Sequence, residues 1–399
     1  MSKQRGHWTS AQNQIMKIIL TGGGSGGHFY PLIAITEGIR DVVRERNLLQ
    51  ARIYYLASSP YNAGILFDNE IEFQKIYAGK VRRYFSLQNI IDFILTSFGF
   101  VGAFFKVFSI FPDVIVSKGG FMSLPVVFAA HILRIPIVIH ETDSVPGRAN
   151  LRAGKYATKI ALSFPEAAEY FRGQEPKKDI SAKIAWTGNP LRKEILAPVK
   201  EGAREYLNLE PGLPVIAIFG GSLGAKRIND TVLDSLPDLL NKYQIIHQTG
   251  KLNFTEVKGA SEIILEKNPF KDRYHPYDYL NALAERMVAG TADLIVSRGG
   301  STIFEIAAWG IPSIIIPISD SNGDHQRKNA YNYQRSGACI VIDENNMTPE
   351  ILETEIKDIL ENPDKIAKMR AGALSFAKTD AAYKIASAVI DIALSHEKQ

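Results

Sequence analysis

The 399-residue chain has a single cysteine, Cys339. One thiol excludes a disulfide framework and any zinc site built on cysteines, and it suits a reducing compartment. No uninterrupted apolar run approaches the roughly 20 residues that a membrane-crossing helix needs. The longest, Phe93 to Phe105, is bounded by Asp92 and Lys106. Residues 1–15 lack the apolar segment of a signal peptide and read as a flexible tail or an upstream start, with Met16 standing directly before the first strand. No Asp-x-Asp pair is present where a metal–diphosphate site would need one. Helix-turn-helix, ribonucleoprotein and finger patterns are absent as well, which argues against nucleic acid as a partner. What remains is ordinary globular material: 46% hydrophobic, 22% charged, with 31 Gly and 19 Pro. That balance excludes a disordered, collagen-like or coiled-coil chain, and the length suggests two or three domains.

The net charge of +4 hides an asymmetry. Residues 1–190 carry 22 basic and 14 acidic side chains, whereas the remainder carries 24 and 28. A basic half joined to a mildly acidic one suggests that the first half meets something anionic, a membrane surface or a phosphorylated substrate. Continuous apolar runs at Lys17–Thr21, Arg52–Ala57, Val114–Ser117, Ile137–His140, Val215–Phe219, Leu294–Ser297 and Ser313–Pro317 predict strands buried on both faces. The fold class is therefore α/β, with parallel sheets covered by helices.

An internal repeat sharpens this. Thr21-Gly22-Gly23-Gly24-Ser25-Gly26-Gly27 ends one strand, and Gly220-Gly221-Ser222-Leu223-Gly224-Ala225 ends another about 200 residues on. Asp113-Val114-Ile115-Val116-Ser117-Lys118-Gly119-Gly120 is matched by Asp293-Leu294-Ile295-Val296-Ser297-Arg298-Gly299-Gly300, and each precedes an Ile-Pro strand start. Matching units in the same order imply two doubly wound domains. The expected division is a tail over 1–15, a first domain over 16–190, a second over 191–362, and C-terminal helices over 363–399 that partly cross back to the first domain. The break falls at Gly188-Asn189-Pro190.

Glycines at the carboxyl end of a strand let a ligand approach the backbone, and the next helix offers unpaired N–H groups to an anion. Four such turns point to a phosphate-bearing ligand in a cleft between the domains. The ligand is not a dinucleotide on this reading: Gly22-x-Gly24-x-x-Gly27 fits that fingerprint, but the strand Arg52–Ala57 runs into Ser58-Ser59-Pro60 without the ribose-binding acid. Nor is it ATP on a nucleotide-hydrolase loop, since Gly224 is followed by Ala225-Lys226. His28 is expected at the mouth of the cleft, where it suits taking a proton from an attacking hydroxyl or is simply a helix-capping or solvent histidine. His140 and Glu141 are expected to face the cleft too, with the carboxylate either orienting the imidazole or capping the next helix. Glu305, one turn into a helix, suits the two hydroxyls of a ribose or simply the helix dipole. Asp324-His325-Gln326 offers amide and imidazole groups to sugar hydroxyls, or is merely a turn.

Taken together, Gly22–His28, His140-Glu141-Thr142-Asp143, Gly188-Asn189-Pro190-Leu191-Arg192, Gly220–Ala225, Ser301-Thr302-Ile303-Phe304-Glu305 and His325-Gln326-Arg327-Lys328-Asn329-Ala330 resemble the MurG family of peptidoglycan glycosyltransferases, in the GT-B superfamily. The resemblance spans residues 16–395. It implies two Rossmann-like domains facing a cleft, the first for a lipid acceptor and the second for UDP-N-acetylglucosamine. It further implies inverting transfer of N-acetylglucosamine to the muramyl sugar of undecaprenyl-linked lipid I, giving lipid II, at the cytoplasmic face of the bacterial membrane. By position, His28 resembles the catalytic base, and Ser25, Gly26 and Gly27 the loop near sugar and acceptor. Arg192 and Ser222 resemble diphosphate contacts, Glu305 the ribose acceptor, and Gln326 a sugar contact. Asp143 belongs to the sugar-facing loop, where it replaces the family's usual Asn, as Thr142 replaces Gln. Glu141, Gly224, Ser301, Thr302 and His325 are supporting positions. No cofactor and no metal are expected.

Other readings remain open at this level: another GT-B transferase that joins a UDP-sugar to a lipid, a catalytically silent UDP-sugar-binding scaffold, and a sugar-nucleotide epimerase. Composition adds a membrane expectation. Lys80, Arg82 and Arg83 precede Phe85, Leu87, Ile90, Ile91, Phe93, Ile94 and Leu95, and six more phenylalanines follow by Phe111. Aromatic bulk beside a basic cluster suits an interfacial segment on an anionic leaflet, the other reading being a core helix of the first domain.

Overall fold

A computed structural model describes residues 15–77, 88–221 and 224–396, with backbone alone for 88–98 and 322. Two compact units emerge. The first runs to Thr142, resumes over Pro146–Arg192 and takes in the segment from Asp380; the second comprises Asp143–Val145 and Lys193–Thr379.

The first unit is built on seven parallel strands: β1 (Lys17–Thr21), β2 (Arg52–Ala57), β3 (Ile71–Lys75), β4 (Val114–Ser117), β5 (Ile137–Glu141), β6 (Lys159–Leu162) and β7 (Ile184–Trp186). Their order across the sheet is β3-β2-β1-β4-β5-β6-β7. The second unit has six: β8 (Val215–Phe219), β9 (Gln244–Gln248), β10 (Tyr274–Tyr277), β11 (Leu294–Ser297), β12 (Ser313–Ile315) and β13 (Cys339–Val341), in the order β10-β9-β8-β11-β12-β13. The two sheets share one topology over their first six strands. In each, the order reverses beside the first strand, between β1 and β4 and between β8 and β11, and such reversals open a crevice at the carboxyl ends of the strands.

The apolar runs that announced these strands follow from burial. All of β4, β5, β8, β9 and β11 is buried. Side chains alternate between a core on each face. In the first unit, Ile18 and Leu20 pack with Leu32, Ile35 and Ile39 of the helix Gly26–Glu45 and with Ile385, Val389 and Ile390 of the helix Ala381–His396. Ile19 turns the other way, toward Val126, Ile137 and Ile139. The aspartates of the sequence repeat perform matching tasks: Asp113 accepts the N–H of Lys17 at 2.7 Å, and Asp293 that of Val215 at 2.9 Å. Each ties the start of the fourth strand of its sheet to the start of the first. The apolar run Phe93–Phe105, too short by itself to span, lies within a 23-residue helix, Gln88–Ile110. Among the described residues no helix is long and apolar enough to cross a membrane.

Candidate active site

In the first unit, β1 delivers the chain into Gly22-Gly23-Gly24 and then Ser25, directly before the helix Gly26–Glu45. A Cβ on Gly22, Gly23 or Gly26 would stand 3.0–3.3 Å from a neighbour, so glycine at these three positions serves close approach rather than unusual dihedrals: none of Gly22 to Gly27 has a positive φ. Gly120, in the turn after β4, does have one, at +83°, and a Cβ built on it would sit 2.8 Å from the Gly23 Cα. The two glycine turns therefore touch backbone to backbone at the β1/β4 reversal. His28 lies directly above, with its Nε2 4.0 Å from that same hypothetical Cβ. Its Nδ1 is 2.8 Å from the Ser25 hydroxyl. With Nδ1–H donating to Ser25 Oγ, the lone pair of the ring sits on Nε2, the atom that would take up a proton.

Other candidates of this unit fall in different surroundings. Arg192 is buried, its guanidinium 4.2 Å from the Tyr30 ring centroid. Glu141 is buried and accepts hydrogen bonds from Asn150 Nδ2 at 2.9 Å and from the Gly147 N–H at 3.1 Å, fixing the start of the helix Arg148–Gly154. His140 does not face a ligand crevice, contrary to expectation. It is fully buried, with Nε2 3.2 Å from both the Gly188 carbonyl and the Ser163 hydroxyl. Burial, helped by the nearby Lys118 ammonium, holds its pKa well below the ordinary histidine value. A neutral core histidine is the result, and Glu141 does not orient it. Sequence reading also passed over the buried Lys118, whose ammonium donates to Thr142 Oγ1, while Thr142 reaches Asn189 at 3.3 Å. The available signal was the repeat itself, which sets a basic residue before Gly-Gly in both halves.

In the second unit, Gly220, Gly221 and Gly224 lead from β8 into the helix Lys226–Leu239. Ser222 lies outside the described residues. After β11, the turn Arg298-Gly299-Gly300 leads to Ser301, directly before the helix Thr302–Trp309. Thr302 opens that helix and Glu305 stands in its first turn, half-buried. His325 opens a third helix, His325–Gln334, and the Gln326 amide oxygen accepts the Ile318 N–H at 3.1 Å. Asn329, also missed, is the hub. Its Oδ1 accepts from the Ser144 N–H and hydroxyl, both at 2.8 Å, and its Nδ2 donates to Asp143 Oδ1 at 2.9 Å and the Gly299 carbonyl at 3.1 Å. Asp143, the Gly299 turn and the helix carrying Gln326 are thus held together by one buried amide. Every polar valence of that amide is used.

Comparison with known proteins accords with this geometry. Residues 18–162 match the glycosyltransferase family 28 N-terminal domain, and residues 215–386 match the glycosyltransferase family 28 C-terminal domain. A protein of Bacillus cereus named UDP-N-acetylglucosamine–N-acetylmuramyl-(pentapeptide) pyrophosphoryl-undecaprenol N-acetylglucosamine transferase 2 is 38% identical over 350 residues, covering 87% of this chain and 92% of its own. The transferase of the same name, without the numeral, from Treponema denticola is 34% identical over 356 residues, covering 86% and 88%. Among solved structures, Acinetobacter baumannii MurG superimposes with a TM-score of 0.69 at 22% identity, over 94% of this chain and 99% of that one. The UDP-GlcNAc 2-epimerase of Neisseria meningitidis, solved with UDP-GlcNAc, gives 0.66 at 14% identity, over 94% and 100%. At these identities the structural matches establish the shared fold, two Rossmann-like parallel-sheet domains of the GT-B kind. The two domain matches and the full-length relatives establish more: the chain belongs to glycosyltransferase family 28.

Proposed function

We propose that this protein transfers N-acetylglucosamine from UDP-N-acetylglucosamine to the muramyl sugar of an undecaprenyl-pyrophosphoryl acceptor, lipid I, with inversion at the anomeric carbon. The observation that carries the reading is identity of 34–38% along nearly the whole chain to proteins named for that transfer. In the reaction the acceptor hydroxyl gives its proton to His28 Nε2 as its oxygen attacks the anomeric carbon, and UDP leaves from the opposite face. Charge developing on the diphosphate is met by the helix that follows Gly224 and by Arg192, and Glu305 takes the ribose hydroxyls. Gln326 and Asp143 lie toward the sugar.

The acceptor is a lipid, and the first unit has a surface suited to one. Phe105, Phe108 and Phe111 are 64%, 57% and 52% exposed, beside a groove of about 240 Å³ lined by Phe100, Val101, Phe104, Phe128, Ala129 and Ile132. Lys80, Arg82, Arg83, Phe85 and Leu87 lie outside the described residues. We assign this face to the anionic inner leaflet of the cell membrane.

The deciding experiment supplies UDP-N-acetylglucosamine with and without a lipid I analogue. UDP release that requires the analogue, with a disaccharide product, supports the reading. Interconversion of free UDP-sugars without acceptor would instead mark an epimerase, and UDP-sugar binding without either reaction would mark a silent binder.

A further inference from the structure

Glu344 lies in the loop after β13, away from every candidate site residue in sequence, yet it is 9% exposed and engages two of the other loops at the carboxyl edge of the second sheet. Its Oε1 accepts Arg298 Nη2 at 2.5 Å, and Arg298 Nη1 donates onward to the Ile316 carbonyl at 3.1 Å. Its Oε2 accepts the Ser319 N–H at 3.1 Å and lies 3.2 Å from the Ser319 hydroxyl. The neighbouring Asn345 accepts both ends of the Arg227 guanidinium, side-chain oxygen and carbonyl each at 3.2 Å. Arg227 sits in the first turn of the helix after the Gly220–Gly224 turn.

Resting on the transferase reading above, we propose that Glu344 is a positioning residue for the sugar-nucleotide donor. Arg298 opens the turn that leads to Glu305. Ser319 follows Ile318, whose N–H holds Gln326. Arg227 follows the diphosphate turn. One carboxylate and its neighbouring amide thereby fix the loops assigned to ribose, sugar and diphosphate. A buried carboxylate accepting a guanidinium and a backbone N–H makes charge-assisted bonds, and these hold geometry far better than neutral ones. Because the clamp acts on groups that meet the donor before and during reaction, it contributes to binding in both states. Its loss should raise KM for the donor while sparing kcat.

The test uses the full-length protein at neutral pH, with UDP affinity from calorimetry and transfer kinetics in parallel. Glu344→Gln keeps the shape and removes the charge; Arg298→Lys keeps the charge and removes the two-pronged contact, so a folded variant is at hand if one of them fails. We expect UDP dissociation constants and donor KM to rise about tenfold with kcat changed less than threefold, and Glu361→Gln, which breaks the exposed pair with Lys242, to leave both unchanged. Folded variants with wild-type UDP affinity, or with kcat lost and KM intact, would overturn the assignment. If the unaltered protein binds UDP but transfers nothing to lipid I, the transferase reading falls, and the UDP affinities alone still decide the role of Glu344.

Discussion

His28 is legible from sequence because a histidine immediately after six residues rich in glycine has little packing reason to be there. The role assigned to it predicts that His28→Ala lowers turnover by about 10²–10⁴-fold, the usual cost of losing a general base, while UDP affinity survives. Turnover within a few-fold of the unaltered enzyme would remove His28 from that role. His140 was not legible in the same way. Both faces of β5 are buried, so alternation could not say which way its last residues point, and only the carbonyl of Gly188, 48 residues on, reveals the answer. The second unit also has a buried histidine, His247 on β9, held between the Tyr274 hydroxyl at 2.9 Å and Asn229 Oδ1 at 3.1 Å, with a pKa lowered by burial to about 3. Both histidines are neutral when folded and free to take a proton when unfolded. Their contribution to stability is fully present above about pH 6.5 and is lost as pH falls below it, at up to about 1.4 kcal/mol per pH unit for each. Thermal unfolding followed from pH 7.5 to 5 should show this decline, and His247→Gln should flatten it for the second unit. A midpoint that does not move with pH would contradict the neutral assignment.

At the level of elements, strands and glycine turns were readable because burial on both faces leaves an unmistakable apolar signature. The edges were harder. β3 alternates polar and apolar residues, Ile-Glu-Phe-Gln-Lys, and β7 is three residues long with Trp186 half exposed, so neither carries the signature of a central strand. What pattern could not reveal is that the two glycine turns of the first unit are pressed together. This makes a prediction that separates contact from dihedral. Gly120→Ala must accept both a positive φ and a methyl 2.8 Å from Gly23, whereas Gly202, with φ +67°, has nothing within 4 Å of its would-be Cβ. A positive φ costs a side-chain-bearing residue about 1–2 kcal/mol, and overpacking adds about 1–3 kcal/mol. Gly120→Ala should therefore lower the unfolding midpoint by more than Gly202→Ala and should reduce turnover by displacing His28. Equal effects of the two changes would show that the backbone contact is unimportant.

For the molecule as a whole, charge and apolar surface are unevenly spread, and the membrane-facing role proposed for the first unit makes a prediction from both. Changing Lys80, Arg82 and Arg83 to Glu should weaken sedimentation with anionic vesicles, since each basic residue near such a surface contributes about 1 kcal/mol. Binding that is equal on neutral and anionic vesicles, or indifferent to the triple change, would exclude the electrostatic part. A different consequence follows from the helix Ala381–His396, which packs along Gly26–Glu45 so closely that a Cβ on Gly38 would lie 2.7 Å from the Ala382 carbonyl. Ile385, Val389 and Ile390 of this helix are buried in the first core. At about 1.5–3 kcal/mol for each large side chain, they supply an amount comparable to the 5–15 kcal/mol by which a whole domain is stable. Residues synthesised after the whole of the second unit are thus needed by the first. On the ribosome, the second unit has its complete sequence while the first still waits with an open apolar face. The first unit to emerge is the last to finish, and throughout translation its unfinished face is the one that nascent-chain chaperones, or a neighbouring nascent chain, can reach.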